Sequence, residues 1–127
     1  MKKNFIIQAR PRNTLLVFSY ECIPDKKVWF EKKYIGAEVH CFLDRDIKNT
    51  NELSKAEMDA RDFLARSGWN VKELLEDPLW LKMPCWFHCL FSKVLKARRT
   101  AMEIARQDGI SFIAYTWEID NTAPGGK

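Results

Sequence analysis

Cys85, His88 and Cys89 fall within one turn if Pro84 opens a helix, because positions three and four apart share a helical face. Two thiols and an imidazole so placed are a partial ligand set for Zn²⁺, which takes four such ligands in tetrahedral sites. His40 or Cys41 could supply the fourth. The spacing is not a C-x₂-C pair, however, and the neighbours Trp86, Phe87, Leu90 and Phe91 are core-type residues. A free cysteine in such company packs as a small hydrophobe. The sequence therefore assigns no metal or other cofactor, and leaves open whether Cys85, His88 and Cys89 bind one.

His40 and His88 are the two histidines of the chain. They could act as an acid–base pair, or either could activate Cys22, Cys41 or Cys85 as a nucleophile. No orienting motif accompanies them: there is no G-x-S-x-G, no phosphate-cradling glycine loop and no H-E-x-x-H. The expectation is a protein that is not an enzyme, with a small enzyme using His40 or His88 as the third choice.

Charge supplies two further candidate sites. Lys93, Lys96, Arg99 and Arg106, with Arg98 nearby, make a basic stripe that can neutralise phosphates. A nucleic-acid site also places aromatics among its cations, whereas here they gather at the N-terminal end of the basic segment. The acidic residues Glu57, Asp59 and Asp62, with Glu73, Glu76 and Asp77 downstream, suit a basic protein partner. Trp80 beside them is a residue type enriched among interface anchors. Both charge sets also have the ordinary reading of solvated faces. The segment from Leu79 to Phe87, with two tryptophans and a methionine, either closes the end of the core or faces a partner.

The elements that must carry these residues follow from periodicity. Thr14 to Ile23 is β-branched and aromatic, a strand composition. Pro24-Asp25-Lys26-Lys27 is a turn signal, and Val28 to Tyr34 returns as the second strand of a hairpin. Gly36 marks a bulge or bend, after which Ala37 to Leu43 continues as strand. Ser54 and Glu57 have capping-box spacing, with Leu53 and Met58 as a hydrophobic staple. Ala56, Ala60, Phe63 and Leu64 form one apolar stripe, so a helix is expected over 54–66, ended by Ser67-Gly68. Trp69 to Leu75 reads as a strand stopped by Asp77-Pro78. A longer helix is expected from Pro84 to Gln107, buried along most of its length, because Phe87, Leu90, Val94, Ala97, Ala101 and Ile104 keep a near-heptad spacing. Ser111 to Glu118 is the last strand, and residues 121–127 read as a loose tail.

These elements predict one α+β domain over 1–127: a mainly antiparallel sheet, made of the N-terminal hairpin and two further strands, with two helices packed on one face. A chain of 127 residues with 46% hydrophobic residues and thirteen per cent aromatics is long and apolar enough to build its own core. The net charge of +4 divides into +4 over 1–50, −3 over 51–80 and +3 over 81–127. That is too mild for a dedicated nucleic-acid tail, and it makes a dipolar surface that steers partners of either sign. Four cysteines are too few for a disulfide scaffold. The apolar run Phe5-Ile6-Ile7 is too short for a signal peptide, and no stretch reaches the ~20 residues of a membrane span. The expectation is a cytoplasmic protein without a membrane partner.

By elimination the sequence favours a protein-binding protein: an inhibitor, immunity protein or antitoxin of bacterial type that occludes the active site of a toxin or nuclease. Its expected contact surface is Glu57, Asp59, Asp62, Glu73, Glu76, Asp77 and Trp80. The alternative is a nucleic-acid-binding accessory protein using Lys93, Lys96, Arg99 and Arg106.

Overall fold

The computed structural model describes residues 7, 10–25 and 34–118. Its longest strand, β1 (Thr14–Pro24), pairs along both sides. On one side lies β2 (Tyr34–Leu43), antiparallel, with Phe18 opposite Cys41 and Cys22 opposite Ala37. On the other side two short strands lie end to end, β4 (Leu79–Lys82) against Thr14 to Val17 and β3 (Trp69–Leu74) against Tyr20 to Pro24. Beyond β2, β5 (Ile110–Glu118) completes an antiparallel five-stranded sheet of order β3-β1-β2-β5. The expected α+β class and the strands around Thr14, Ala37, Trp69 and Ser111 are present. A register shift falls at Gly36, where the glycine marked an irregularity. The expected turn at Lys26-Lys27, most of the return strand from Val28, and the tail over 121–127 lie outside the described residues.

Three expectations about the elements need correction. Leu79–Lys82 is a strand rather than a break between elements, so three strands follow the hairpin, not two. The first helix, α1 (Thr50–Arg66), begins four residues before Ser54. Its cap is Asn49, whose side-chain oxygen accepts from the Glu52 N–H at 2.8 Å, while the Glu52 carboxylate accepts from the Lys48 N–H at 2.7 Å. That is the reciprocal logic of a capping box, set five residues upstream of the expected one. Met58 is exposed and staples nothing. The long helix expected from Pro84 is two: a single turn, α2 (Trp86–Cys89), and α3 (Lys93–Asp108). Ser92 separates them, extended at φ −144° and accepting from the Leu95 N–H at 3.2 Å, as an N-cap does. At the other end Gly109 takes the left-handed conformation, φ 92°, and ends α3 at Asp108, one residue past the expected Gln107.

The helices pack on opposite faces of the sheet, not on one. Leu16, Phe18, Tyr20 and Cys22 of β1 join Val39 and Cys41 of β2 under Leu53, Ala56, Ala60 and Leu64 of α1. Leu15 and Val17 of β1 join Phe42 of β2 under Ala101, Met102 and Ala105 of α3. Successive side chains of a strand point to opposite faces. The unbroken burial of Thr14 to Tyr20 therefore requires a cover on each side. Each Leu or Phe fully buried there contributes about 1.5–3 kcal/mol over its exposed state. Of α3 itself, only Ala101, Met102 and Ala105 are buried, so the expectation of a helix buried along most of its length also fails.

Candidate functional site

The acidic residues singled out in the sequence are divided: Glu57 lines a small cleft with Leu74 and Pro78, the residues on either side of the Glu76–Asp77 connection, whereas Glu73 turns to the other face of the sheet. Glu57 is engaged by Arg61 at 3.1 Å, and Asp59 by Arg45 at 2.9 Å and more loosely by Lys55. Asp62 is exposed on α1. Glu73 stands opposite Glu21 in the β1–β3 register. Trp69, Val71 and Leu74 of the same strand pack on the α1 side, so Glu73 projects to the opposite face from α1. Glu76 and Asp77 are exposed in the β3–β4 connection. Trp80 is 9% exposed, packed in the α1-side core with the Arg10 guanidinium 5.4 Å from its ring centre. Arg10 also bonds Asp44 at 2.6 Å and Asp46 at 3.1 Å. Burial works against its charge, and the two carboxylates more than offset that, holding its pKa above the ordinary value.

The basic residues divide in the same way. Arg99 donates to the Pro84 carbonyl and to Glu103, and Arg106 donates to Asn13 Oδ1. Lys93 and Lys96 are exposed and form no ion pair among the described residues. His40 and His88 lie on different elements. His40, on β2, is hydrogen-bonded to Glu38 at 2.8 Å and meets the Tyr115 ring edge-on at 5.2 Å. His88 is exposed on α2 beside the Phe87 ring. Cys41 is fully buried on the α1 side, and burial raises the pKa of its thiol. It cannot complete a ligand set with Cys85, which is exposed, and Cys89, which is half-buried. Among the described residues, no three or more His, Cys, Asp or Glu side chains are arranged to hold a metal ion.

What the structure does bring together is an apolar surface at α2 and the start of α3. Trp86, Phe87, Leu90, Phe91 and Val94 are all more than half exposed, Phe91 at 78%. The rings form a cluster: Phe87 meets Trp86 edge-on at 6.0 Å and Phe91 at 5.5 Å. Edge-to-face pairs of this kind add about 0.5–1.5 kcal/mol each beyond their buried area. The base beneath the cluster is fixed. Met83 is buried in the α3-side core and its N–H donates to the Asn13 carbonyl at 3.0 Å. Arg99 holds the Pro84 carbonyl, and Ser92 caps α3. Lys93 and Lys96, both exposed, follow Ser92 in the first turn of α3.

The segment from Leu79 to Phe87 thus combines both roles considered for it: Trp80 and Met83 close the core, and Trp86 and Phe87 face outward. Leu90 and Phe91 were read as core-type residues from their helical spacing. The sequence signal against that reading was Phe91-Ser92, where a strong capping residue interrupts the stripe. No helix among the described residues is long and apolar enough to cross a membrane. No family model matches the chain, and neither a curated protein nor a solved structure shows significant similarity to it.

Proposed function

We propose that the protein acts by binding another protein, in the manner of a small inhibitor or immunity protein that covers a functional site of its partner. The observation that carries this reading is the exposed cluster of Trp86, Phe87, Leu90, Phe91 and Val94 on an anchored base. Contiguous apolar surface rimmed by polar residues marks interaction sites, and aromatic anchors supply most of the energy at such sites. The docking surface is therefore assigned to α2 and the first turn of α3, in place of the acidic residues expected from sequence. Lys93 and Lys96 set the sign of the partner's rim as acidic.

A second reading has one observation in its favour. The aromatics are exposed beside Lys93 and Lys96, as single-stranded nucleic-acid sites require. Against it, the rings pack against one another, which leaves fewer free faces for bases.

Affinity capture from source cells, with and without nuclease, separates the two. One stoichiometric protein is expected to survive nuclease on the wild-type chain and to be lost on a Trp86→Ser/Phe91→Ser variant. Purified with its partner, the wild-type chain is expected to block the partner's activity. Nuclease-sensitive recovery overturns the protein reading. Binding through the two free lysines would then weaken with salt at a log–log slope of about −1.5 to −2.

A further inference from the structure

The two edges of the sheet are guarded very differently. The β3/β4 edge is broken into two short strands with Pro78 between them and a register shift against β1 at Glu21/Cys22. It also carries Lys72, Glu73 and Lys82. These are the devices that prevent a sheet from adding strands. The β5 edge has one of them, a register shift against β2 at Tyr34/Gly36, near one end of the strand. Its nine residues, Ile-Ser-Phe-Ile-Ala-Tyr-Thr-Trp-Glu, contain no proline or glycine and one charge, at the end. Its pairing with β2 is regular from Ala37 to Leu43, and among the described residues it pairs with β2 alone.

Beside this open edge, α3 turns a second apolar stripe outward. Val94, Ala97 and Ile104 keep the spacing of a seam between paired helices, with the buried Ala101 at its inner margin. Met102 and Ala105 satisfy the sheet beneath, so Val94 and Ile104 remain 53% and 43% exposed. A shallow groove of about 430 Å³ runs between the stripe and β5, with Ala97, Thr100, Ile104 and Ile113 along it and Lys93 and Lys96 at one end.

At its N-terminal end the charges on α3 run against its dipole. Lys93 and Lys96 occupy the positive N-terminal end, where no acid stands, and Asp108 closes the negative C-terminal end beside Arg106. α1 shows the ordinary arrangement, with Glu52 in its first turn and Arg66 in its last. An antiparallel neighbour of the same sequence sets Lys93 at the start of each helix beside Asp108 at the end of the other.

From these three features we infer that β5 and the outer stripe of α3 form a two-fold interface between two copies of this chain. A dyad perpendicular to both elements makes β5 antiparallel to its mate, continuing the sheet, and makes the two α3 helices antiparallel in the same operation. Ala97 and Ile104 then face one another across the axis, small against large. The interface adjoins the aromatic cluster and shares Val94, Lys93 and Lys96 with its margin, but it is built from β5 and α3 and does not depend on what Trp86, Phe87 and Phe91 bind.

Sedimentation of the full chain over a range of concentrations tests this. The wild type is expected at twice the 14.9 kDa chain mass. Ile104→Glu is expected to weaken association about thirtyfold or more, the effect of losing a central anchor. The charge variants K93E/K96E and D108K are each expected to be monomeric alone and to form a one-to-one dimer when mixed. Phe91→Ser, outside the stripe, is expected to leave the dimer intact while abolishing partner capture, so failure of the docking assignment reads differently from failure of the dimer. Circular dichroism confirms that each variant is folded. A wild type monomeric at every soluble concentration, an Ile104→Glu chain that still dimerises, charge variants that stay monomeric when mixed, or a dimer lost through Phe91→Ser would each overturn the interface.

Discussion

The four cysteines divide by environment into two chemical classes. Cys22 and Cys41 are fully buried on the α1 side of the sheet, while Cys85 is exposed and Cys89 half-buried at α2. Burial, with a smaller contribution from Glu21 and against the pull of Arg61, pushes the Cys22 thiol up to about 11. Cys41 and the Tyr20 phenol are raised by burial as well. Only the thiolate reacts readily with disulfide reagents. At pH 8, Cys85 and Cys89 are therefore expected to react with an aromatic disulfide in the native protein, and Cys22 and Cys41 only after denaturation. Fast labelling of all four without denaturant would contradict the buried placement. The same shift predicts a pH dependence of stability. A thiol whose pKa is higher in the folded state binds its proton more tightly there, so its contribution is complete below the ordinary thiol pKa and is lost as pH rises towards about 11. Thermal melts should fall between about pH 9 and pH 11, and Cys22→Ala should flatten part of that fall.

At the scale of elements, the cap of α1 shows what the sequence contained and what it withheld. Two segments had capping-box spacing, Asn49-Thr50-Asn51-Glu52 and Ser54-Lys55-Ala56-Glu57. Local chemistry does not choose between them. The choice is made by packing, because starting at Thr50 places Leu53 in the core with Ala56, Ala60 and Leu64. Asn49→Ala is accordingly expected to cost about 1 kcal/mol of stability, and Ser54→Ala, on an exposed position, less than about 0.5 kcal/mol. Denaturant titration of the two variants measures this, and the reverse order would restore the downstream cap. The strands and the α1 stripe were legible because their periodicity is local. The placement of helices on two faces was legible in part: Leu15-Leu16-Val17-Phe18 is apolar without alternation, the pattern of a strand covered on both sides. Strand β4 was hidden because four residues next to Pro84 carry little periodic signal, and its existence depends on the free edge of β1. The aromatic cluster was hidden for a different reason. Its residues continue the helical stripe of α3, and only the cap at Ser92 shows that they turn away from the sheet.

For the whole molecule, the sheet separates two cores of unequal size. The α1-side cluster draws on all five strands and includes Phe18, Tyr20 and Trp69, whereas the α3-side cluster is about half as large among the described residues and its helix contributes two alanines and Met102. A helix held by so little buried area opens at lower free energy than the rest of the fold. Ser111 Oγ, bonded to the Ala101 carbonyl, is a further tie between α3 and β5. Hydrogen exchange should therefore show α2 and α3 exchanging through a sub-global opening while β1, β2 and α1 exchange only by global unfolding. Met102→Ala and Leu64→Ala, each expected to cost about 2–5 kcal/mol, should differ in reach: the first lowers protection in α2 and α3 alone, the second lowers it throughout. Equal loss of protection from both would mean that the two cores unfold as one. If they separate, the less stable layer is the one that carries the aromatic surface and, beside it, the β5 edge that pairs with β2 alone among the described residues. Binding a partner or a second copy there would then raise protection in α2 and α3 by more than in α1, because ligation of the folded form stabilises the layer whose opening destroys the site.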